Sequence, residues 1–260
     1  MALIEVDGVG LNVEVEGPAN APALMLSNSL GTTLHMWAPQ VKPFTERFRL
    51  IRYDRRGHGK SAVPPGPYSM ERLSRDVLGI LDHLGVETID WCGLSMGGMV
   101  GQWLGAHAPS RIRRLVLANT SCHYPAKEPW NERIAAVAQS GLEPIVDPMM
   151  GRWFSAGFIE HEPATIARMR AMMLSTPPAG YIANCEAVRD MDHRDILATI
   201  KAPTLIVAGR HDVATPVAAG EYIRARIPGA ALTLLDAGHI SNIEQASDFT
   251  TEVMGFLTSK

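Results

Sequence analysis

The chain has 260 residues, 46% hydrophobic and 20% charged; this is enough apolar material to bury a large core as one folded unit with an insertion, and too much for a disordered chain. Twenty-four basic residues against 27 acidic ones leave a formal charge of −3, and the basic residues gather only in short pairs such as Arg55-Arg56 and Arg113-Arg114, which argues against a nucleic-acid footprint and leaves a small molecule as the expected partner. Cys92, Cys122 and Cys185 show no CxxC spacing, the N-terminus "MALIEVDGVG" carries acids, and no run approaches the ~18 apolar residues of a membrane span. The expectation is a cytoplasmic protein with reduced cysteines, no metal site and no membrane segment.

In chain order, "LIEVDG" and "LNVEVEG" alternate polar and apolar residues around a glycine-containing turn, the pattern of an antiparallel hairpin at a sheet edge. Six largely apolar runs follow: "PALMLSNS", "RLIRYD", "TIDWCGL", "RRLVLANT", "PTLIVAGR" and "ALTLLDAG". Each ends in small or polar residues, as parallel strands buried on both faces do. Helical patterns separate them, so the fold class expected is α/β: an eight-stranded, mostly parallel sheet with helices on both faces. In "MERLSRDVLGILDHLG" the residues Leu73, Val77, Ile80, Leu81 and Leu84 recur at helical spacing and Gly85 suits a C-terminal cap. From Ser121 to Arg194 this rhythm breaks into an Ala-, Met- and Arg-rich stretch with no convincing strand, including the helical "TIARMRAMMLS". Residues 121–194 are therefore expected to form a helical cap inserted after the sixth strand, over a core of residues 1–120 and 195–260. An ordinary long helical connection is the plainer alternative.

"WCGLSMGGMV" sets Ser95 between Gly93 and Gly97 where a buried strand runs into a helix. That is the strand–turn–helix setting of a G-x-S-x-G nucleophile elbow, in which the next residue's N–H, on Met96, sits at a helix start ready to stabilise an oxyanion. A serine capping a glycine-rich helix is the competing reading. A serine nucleophile needs a base and the base an orienting acid. Asp212 follows "PTLIVAGR" and His239 follows "ALTLLDAG", giving the order Ser95, Asp212, His239 on three strand ends. His211 and Asp236 are the neighbouring competitors; Asp236 is read as a turn or hydrogen-bonding residue. "YDRRGHGKS" is not a P-loop, since it lacks the G-x-x-x-x-G-K-[ST] spacing and no helix starts directly after it.

With these residues in view, the chain resembles the α/β-hydrolase superfamily over nearly its whole length: "YDRRGHGKS" is similar to its D-x-R-G-x-G-x-S turn, "GLSMGG" to its elbow, "AGRHD" to its acid loop and "DAGHISNIEQ" to its histidine loop. Where many members carry His-Gly after the third strand, this chain has Asn28-Ser29. The wording "SNSLGT…MW", with "GLSMGG" and "DAGHISNIEQ", resembles the 3-oxoadipate enol-lactonases of aromatic catabolism. The resemblance implies a second oxyanion donor at the N–H of Leu30, with Ser29 or Asn28 replacing the structural bonds of the missing histidine, and a turn fixed by Asp54 and Arg56. It implies a small anionic lactone as substrate and no cofactor. Such a substrate needs a local cation for its free carboxylate. "KEPWNERIAAV" opens the cap and places Trp130 and Arg133 three apart, so Arg133 is the candidate anchor and Trp130 a pocket wall, with Ser29 also facing substrate; Arg152, Arg168 and Arg170 are alternative anchors. A general carboxylesterase, a cofactor-free perhydrolase and a non-catalytic small-molecule receptor are the other readings of the same residues.

Overall fold

Asp7 and Gly8 both take positive φ, 48° and 75°, the backbone that a two-residue hairpin turn requires. They join β1 (Ala2–Val6) to β2 (Val9–Glu16), antiparallel with Val6 opposite Val9. The computed structural model describes residues 2–259; Met1 and Lys260, the outermost residues of the core range expected from the sequence, lie outside them.

The remaining strands are β3 (Ala23–Ser27), β4 (Arg49–Tyr53), β5 (Ile89–Leu94), β6 (Ile112–Ala118), β7 (Thr204–Gly209) and β8 (Ala231–Leu235), in one eight-stranded sheet ordered β1-β2-β4-β3-β5-β6-β7-β8. β2 runs antiparallel to β4, and every pairing from β4 to β8 is parallel. The apolar runs have the expected cause: every residue of β3, β5 and β7 is buried, so no polar face is needed. Because β3, β5, β6 and β7 are parallel neighbours, their following loops all leave at one edge of the sheet, and the chemistry collects there.

Helices α1 (Ala38–Thr45), α2 (Met70–His83), α3 (Met96–His107), α9 (Val217–Arg224), α10 (Ser241–Glu244) and α11 (Ala246–Thr258) accompany the sheet. Their mutual contacts form two sets, α2 with α3 and α1 with α10 and α11. Helix α2 shows how the sequence makes such a piece. The Ser69 side chain accepts the Arg72 N–H at its start, and Leu73, Val77, Ile80 and Leu81 face inward. Gly85, at φ 63°, lets the Val86 N–H turn back to the Leu81 carbonyl at 2.9 Å, the bond that stops a helix of this kind. Burying four such aliphatic side chains contributes roughly 1.5–3 kcal/mol each.

Between β6 and β7 the chain makes five α-helices, α4 (Glu128–Ser140), α5 (Glu143–Trp153), α6 (Ala156–His161), α7 (Pro163–Leu174) and α8 (Pro178–Asp190). The excursion begins and ends at one place, where His123 and Asp192 form an isolated antiparallel bridge and the His193 N–H donates to the Cys122 carbonyl at 2.8 Å. α4 packs on α8 and α5 on α7. Within α4 only Val137 is buried. Among the described residues no helix is long and apolar enough to cross a membrane.

Candidate active site

Ser95 stands between β5 and α3 at φ 57°, ψ −115°, a conformation that costs a non-glycine residue on the order of 1–3 kcal/mol. Its surroundings over-determine it. The Ser95 N–H donates to the Ala118 carbonyl at 2.8 Å, and the Ser95 carbonyl accepts from Thr120 Oγ1 at 2.7 Å and from the Met99 N–H at 3.1 Å. The flanking glycines are forced by approach: a Cβ on Gly93 would run into the Gly97 carbonyl, and one on Gly97 into the Ser27 carbonyl. The strand and helix thus pack backbone to backbone and leave the serine side chain at the sheet edge.

Asp212 follows β7 and His239 follows β8, and the two meet with Nδ1 of His239 2.8 Å from Oδ2 of Asp212. Both are buried. The same oxygen accepts from Thr215 Oγ1 at 2.7 Å and Asn119 Nδ2 at 3.0 Å, while Oδ1 accepts the Ala214 and Thr215 N–H groups, each at 2.8 Å. Burial alone would raise the Asp212 carboxyl; the His239 charge and the bonds from His239 and Thr215 outweigh it and hold the group at about 2. An ionised carboxylate can only accept. The imidazole proton therefore sits on Nδ1 and leaves the Nε2 lone pair free.

Ser95 and His239 line one small cavity of about 50 Å³, together with Ser29, Leu30, Trp130 and Arg133. Candidates for the oxyanion site are distinguished by what surrounds them. The N–H groups of Ser29, Gly31 and Gly97 are engaged, by Met36 Sδ, His58 Nε2 and the Asn28 carbonyl respectively. Between them, the N–H groups of Leu30 and Met96 have no hydrogen-bond partner among the described residues. Asn28 is tied down on both sides of its amide: its Nδ2 donates to the Tyr53 carbonyl at 2.9 Å and its Oδ1 accepts from Trp37 Nε1 at 3.0 Å.

On α4 the Arg133 guanidinium lies over the Trp130 ring, 4.6 Å from its centroid, and Tyr124 meets that ring edge-on at 5.2 Å. Of the alternative anchors, Arg152 lines the same cavity. Arg170 is engaged by Asp147 at 2.7 Å and Glu143 at 2.6 Å, and Arg168 borders a different cavity. His211 and Asp236 pair with each other at 2.7 Å on the exposed surface, away from the cavity. In the turn after β4, Asp54 accepts from Asn12 Nδ2 and the Leu34 N–H, both at 2.8 Å, and Arg56 grips Asp76 through two bonds of 2.6 and 2.5 Å. Sequence reasoning missed Tyr124, Met149 and Trp153 as lining residues and Asn119 and Thr215 as partners of Asp212. One usable signal was the polar run Asn119-Thr120-Ser121 just past a buried strand.

A family profile described as the alpha/beta hydrolase fold matches residues 22–246. The chain is 40% identical over 245 residues to 3-oxoadipate enol-lactonase 2 of Acinetobacter baylyi, covering 94% of this chain and 92% of that protein. It is 39% identical over 253 residues to 3-oxoadipate enol-lactonase 1 of the same organism, covering 97% and 94%. The crystal structure of the enol-lactonase from Burkholderia xenovorans superimposes with a TM-score of 0.98 at 43% identity, covering 99% of this chain and 100% of that one. With the fold, a profile match over most of its length and relatives at this level of identity, the chain belongs to the α/β-hydrolase family, alongside the 3-oxoadipate enol-lactonases.

Proposed function

We propose that the protein is a serine hydrolase that opens 3-oxoadipate enol-lactone to 3-oxoadipate, a step of the β-ketoadipate route of aromatic catabolism, in the cytoplasm. The observation that carries this reading is a single cavity shared by Ser95, by a His239 already oriented by Asp212, and by the cation Arg133. His239 Nε2 takes the Ser95 proton as Oγ attacks the lactone carbonyl. The developing oxyanion is received by the N–H groups of Leu30 and Met96. Collapse breaks the ring C–O bond, and the enol oxygen takes the proton back from His239. The enol is tethered to the acyl chain and tautomerises to a ketone, which removes the nucleophile that would re-close the ring. Water deprotonated by His239 then releases the acid and restores Ser95. Residues 121–194 act as the cap that presents Arg133 and Trp130 to the substrate carboxymethyl group, on a core of residues 1–120 and 195–260.

The test is turnover of the enol-lactone, followed by loss of its absorbance, beside p-nitrophenyl acetate. Wild-type protein should prefer the anionic lactone, and Ser95→Ala should lose several orders of magnitude in kcat for both substrates with its fold intact. A preference for the neutral ester would leave a general esterase or perhydrolase. Saturable binding without turnover would leave a receptor.

A further inference from the structure

The turn after β4 sends two buried side chains toward a neighbouring loop. Arg55 is buried, and its Nη2 donates to the carbonyl of Asn28. Its Nη1 has no hydrogen-bond partner, and no carboxylate pairs with it, among the described residues. Burial pulls the guanidinium down to about 10, so the group stays cationic at neutral pH. His58 is fully buried and accepts the Gly31 N–H on Nε2 at 2.9 Å. Burial, then the charge of Arg55, pushes its imidazole down to about 3, so the lone pair that accepts this bond is not lost to a proton.

These two bonds fall on either side of one peptide. The Ser29–Leu30 peptide carries the Leu30 N–H, and its own carbonyl accepts from Thr32 Oγ1 at 2.8 Å. The peptide before it is held through the Asn28 carbonyl by Arg55, and the one after it through the Gly31 N–H by His58. In a trans peptide the C=O and N–H point in opposite directions, so fixing the Ser29 carbonyl and both neighbours fixes the direction of the Leu30 N–H. The Asn28 carbonyl also accepts the Gly97 N–H at 3.1 Å, which ties this loop to the turn of α3 that carries Met96. An unpaired buried cation at that carbonyl favours negative charge nearby, in a medium that screens it poorly.

We propose that Arg55 and His58 are positioning residues of the oxyanion site: they hold the loop 28–31 so that the Leu30 N–H meets the tetrahedral intermediate, and Arg55 adds the field of a buried cation behind it. The proposal rests on the acyl-transfer reading of Ser95 given above. Any ester or lactone that Ser95 attacks serves to test it, which separates the two in the experiment.

Kinetics of Arg55→Gln, Arg55→Lys, His58→Leu and His58→Gln would be measured on the enol-lactone and on p-nitrophenyl acetate, with inhibition by phenylboronic acid, which forms a tetrahedral anion on a serine. Arg55→Gln and His58→Leu should lose roughly ten- to a hundredfold in kcat, less than removal of an oxyanion donor outright. Their KM should stay within twofold, and the boronic acid should weaken by the same factor as kcat. Arg55→Lys, which keeps the charge, and His58→Gln, which keeps an acceptor, should recover most of the loss. Wild-type-like kcat in Arg55→Gln or His58→Leu, a loss carried equally by KM, or conservative variants no better than the disruptive ones would overturn the proposal. Should Arg55→Gln not fold, the His58 pair decides; should neither disruptive variant fold, the two residues belong to the fold alone and the proposal falls. A wild-type protein that hydrolyses the ester and leaves the lactone untouched removes the lactonase reading and leaves this test standing on the ester.

Discussion

Replacing Asp212 by Asn exchanges a single carboxylate oxygen for an amide NH2 and should cost the protein most of its activity. The carboxylate accepts five hydrogen bonds, three on Oδ2 and two on Oδ1. An asparagine can accept on one side only. With its amide NH2 toward Ala214 and Thr215 it meets two backbone donors. With the NH2 toward His239 it meets the Thr215 hydroxyl, the Asn119 amide and Nδ1. The second placement can be relieved if the imidazole moves its proton to Nε2, and this is the tautomer that cannot take a proton from Ser95. Loss of the orienting charge in a triad costs roughly 10³–10⁴ in kcat, or about 4–5.5 kcal/mol of barrier. Stability should fall as well. The native carboxyl sits at about 2 against an ordinary 3.8, so its contribution of about 2 kcal/mol is present above pH 4 and vanishes as pH falls through 2. Asp212→Asn should lack that contribution at neutral pH. Steady-state and single-turnover kinetics on the lactone, with circular dichroism to confirm folding, measure both effects. A folded Asp212→Asn retaining a tenth of wild-type kcat, or an Asp236→Asn that loses as much, would refute the assignment of the acid.

Arg133→Ala should cost about 1.5–3 kcal/mol of charge-assisted binding, read as a ten- to hundredfold fall in kcat/KM for the carboxylated lactone with little change for a neutral ester; equal losses on both would remove the carboxylate clamp. His58 makes native stability fall with acid: the unfolded chain binds its proton near 6.5 and the native state only near 3, so the penalty is absent above pH 6.5 and grows by about 1.4 kcal/mol per pH unit below it until pH 3. Urea unfolding at pH 7 and pH 5 should show wild type losing about 2 kcal/mol more than His58→Gln, and parallel losses would mean that His58 is not buried neutral. Gly97→Ala puts a methyl group into the Ser27 carbonyl and should destabilise by roughly 2–4 kcal/mol, seen as a lower Tm; an unchanged Tm would show that strand and helix are not in backbone contact.

Strands were legible because β3, β5 and β7 are buried at every residue and so cannot alternate with polar residues. Ser95, Asp212 and His239 were legible because each ends a strand of the same sheet, and parallel neighbours deliver their ends to one edge. Thr215 has no such address, and Asn119, though directly past β6, carries nothing that names Asp212 as its partner. Their role depends on how one loop folds back, Asn119 at φ 44° and Thr215 three residues past the acid, and neither spacing has a signature. Tyr124, Met149 and Trp153 reach the cavity through helix packing across the excursion, which a one-dimensional pattern does not encode. Arg133 and Arg152 separate from Arg168 and Arg170 only once ion pairs and cavities are known. In "YDRRGHGKS" the residues that fix the turn were readable as Asp54 and Arg56, whereas nothing in the string says that Arg55 and His58 turn inward toward another loop.

The helical excursion between β6 and β7 is fastened at more than its base. The Ile240 N–H, one residue past His239, donates to the Trp153 carbonyl at 3.0 Å, and the Ser155 N–H reaches Glu244, which also receives the Gly238 N–H at 2.9 Å. Swinging all five helices away together would tear the seam beside His239, so opening of that kind would loosen the histidine each time the entrance widened. Helix α4 stands outside that seam and packs on α8 and α5, with Val137 its one buried residue. Trp130 and Arg133 ride on that helix. A local displacement of α4 would carry both side chains with it and leave the bonds at Ile240, Ser155 and Gly238 intact.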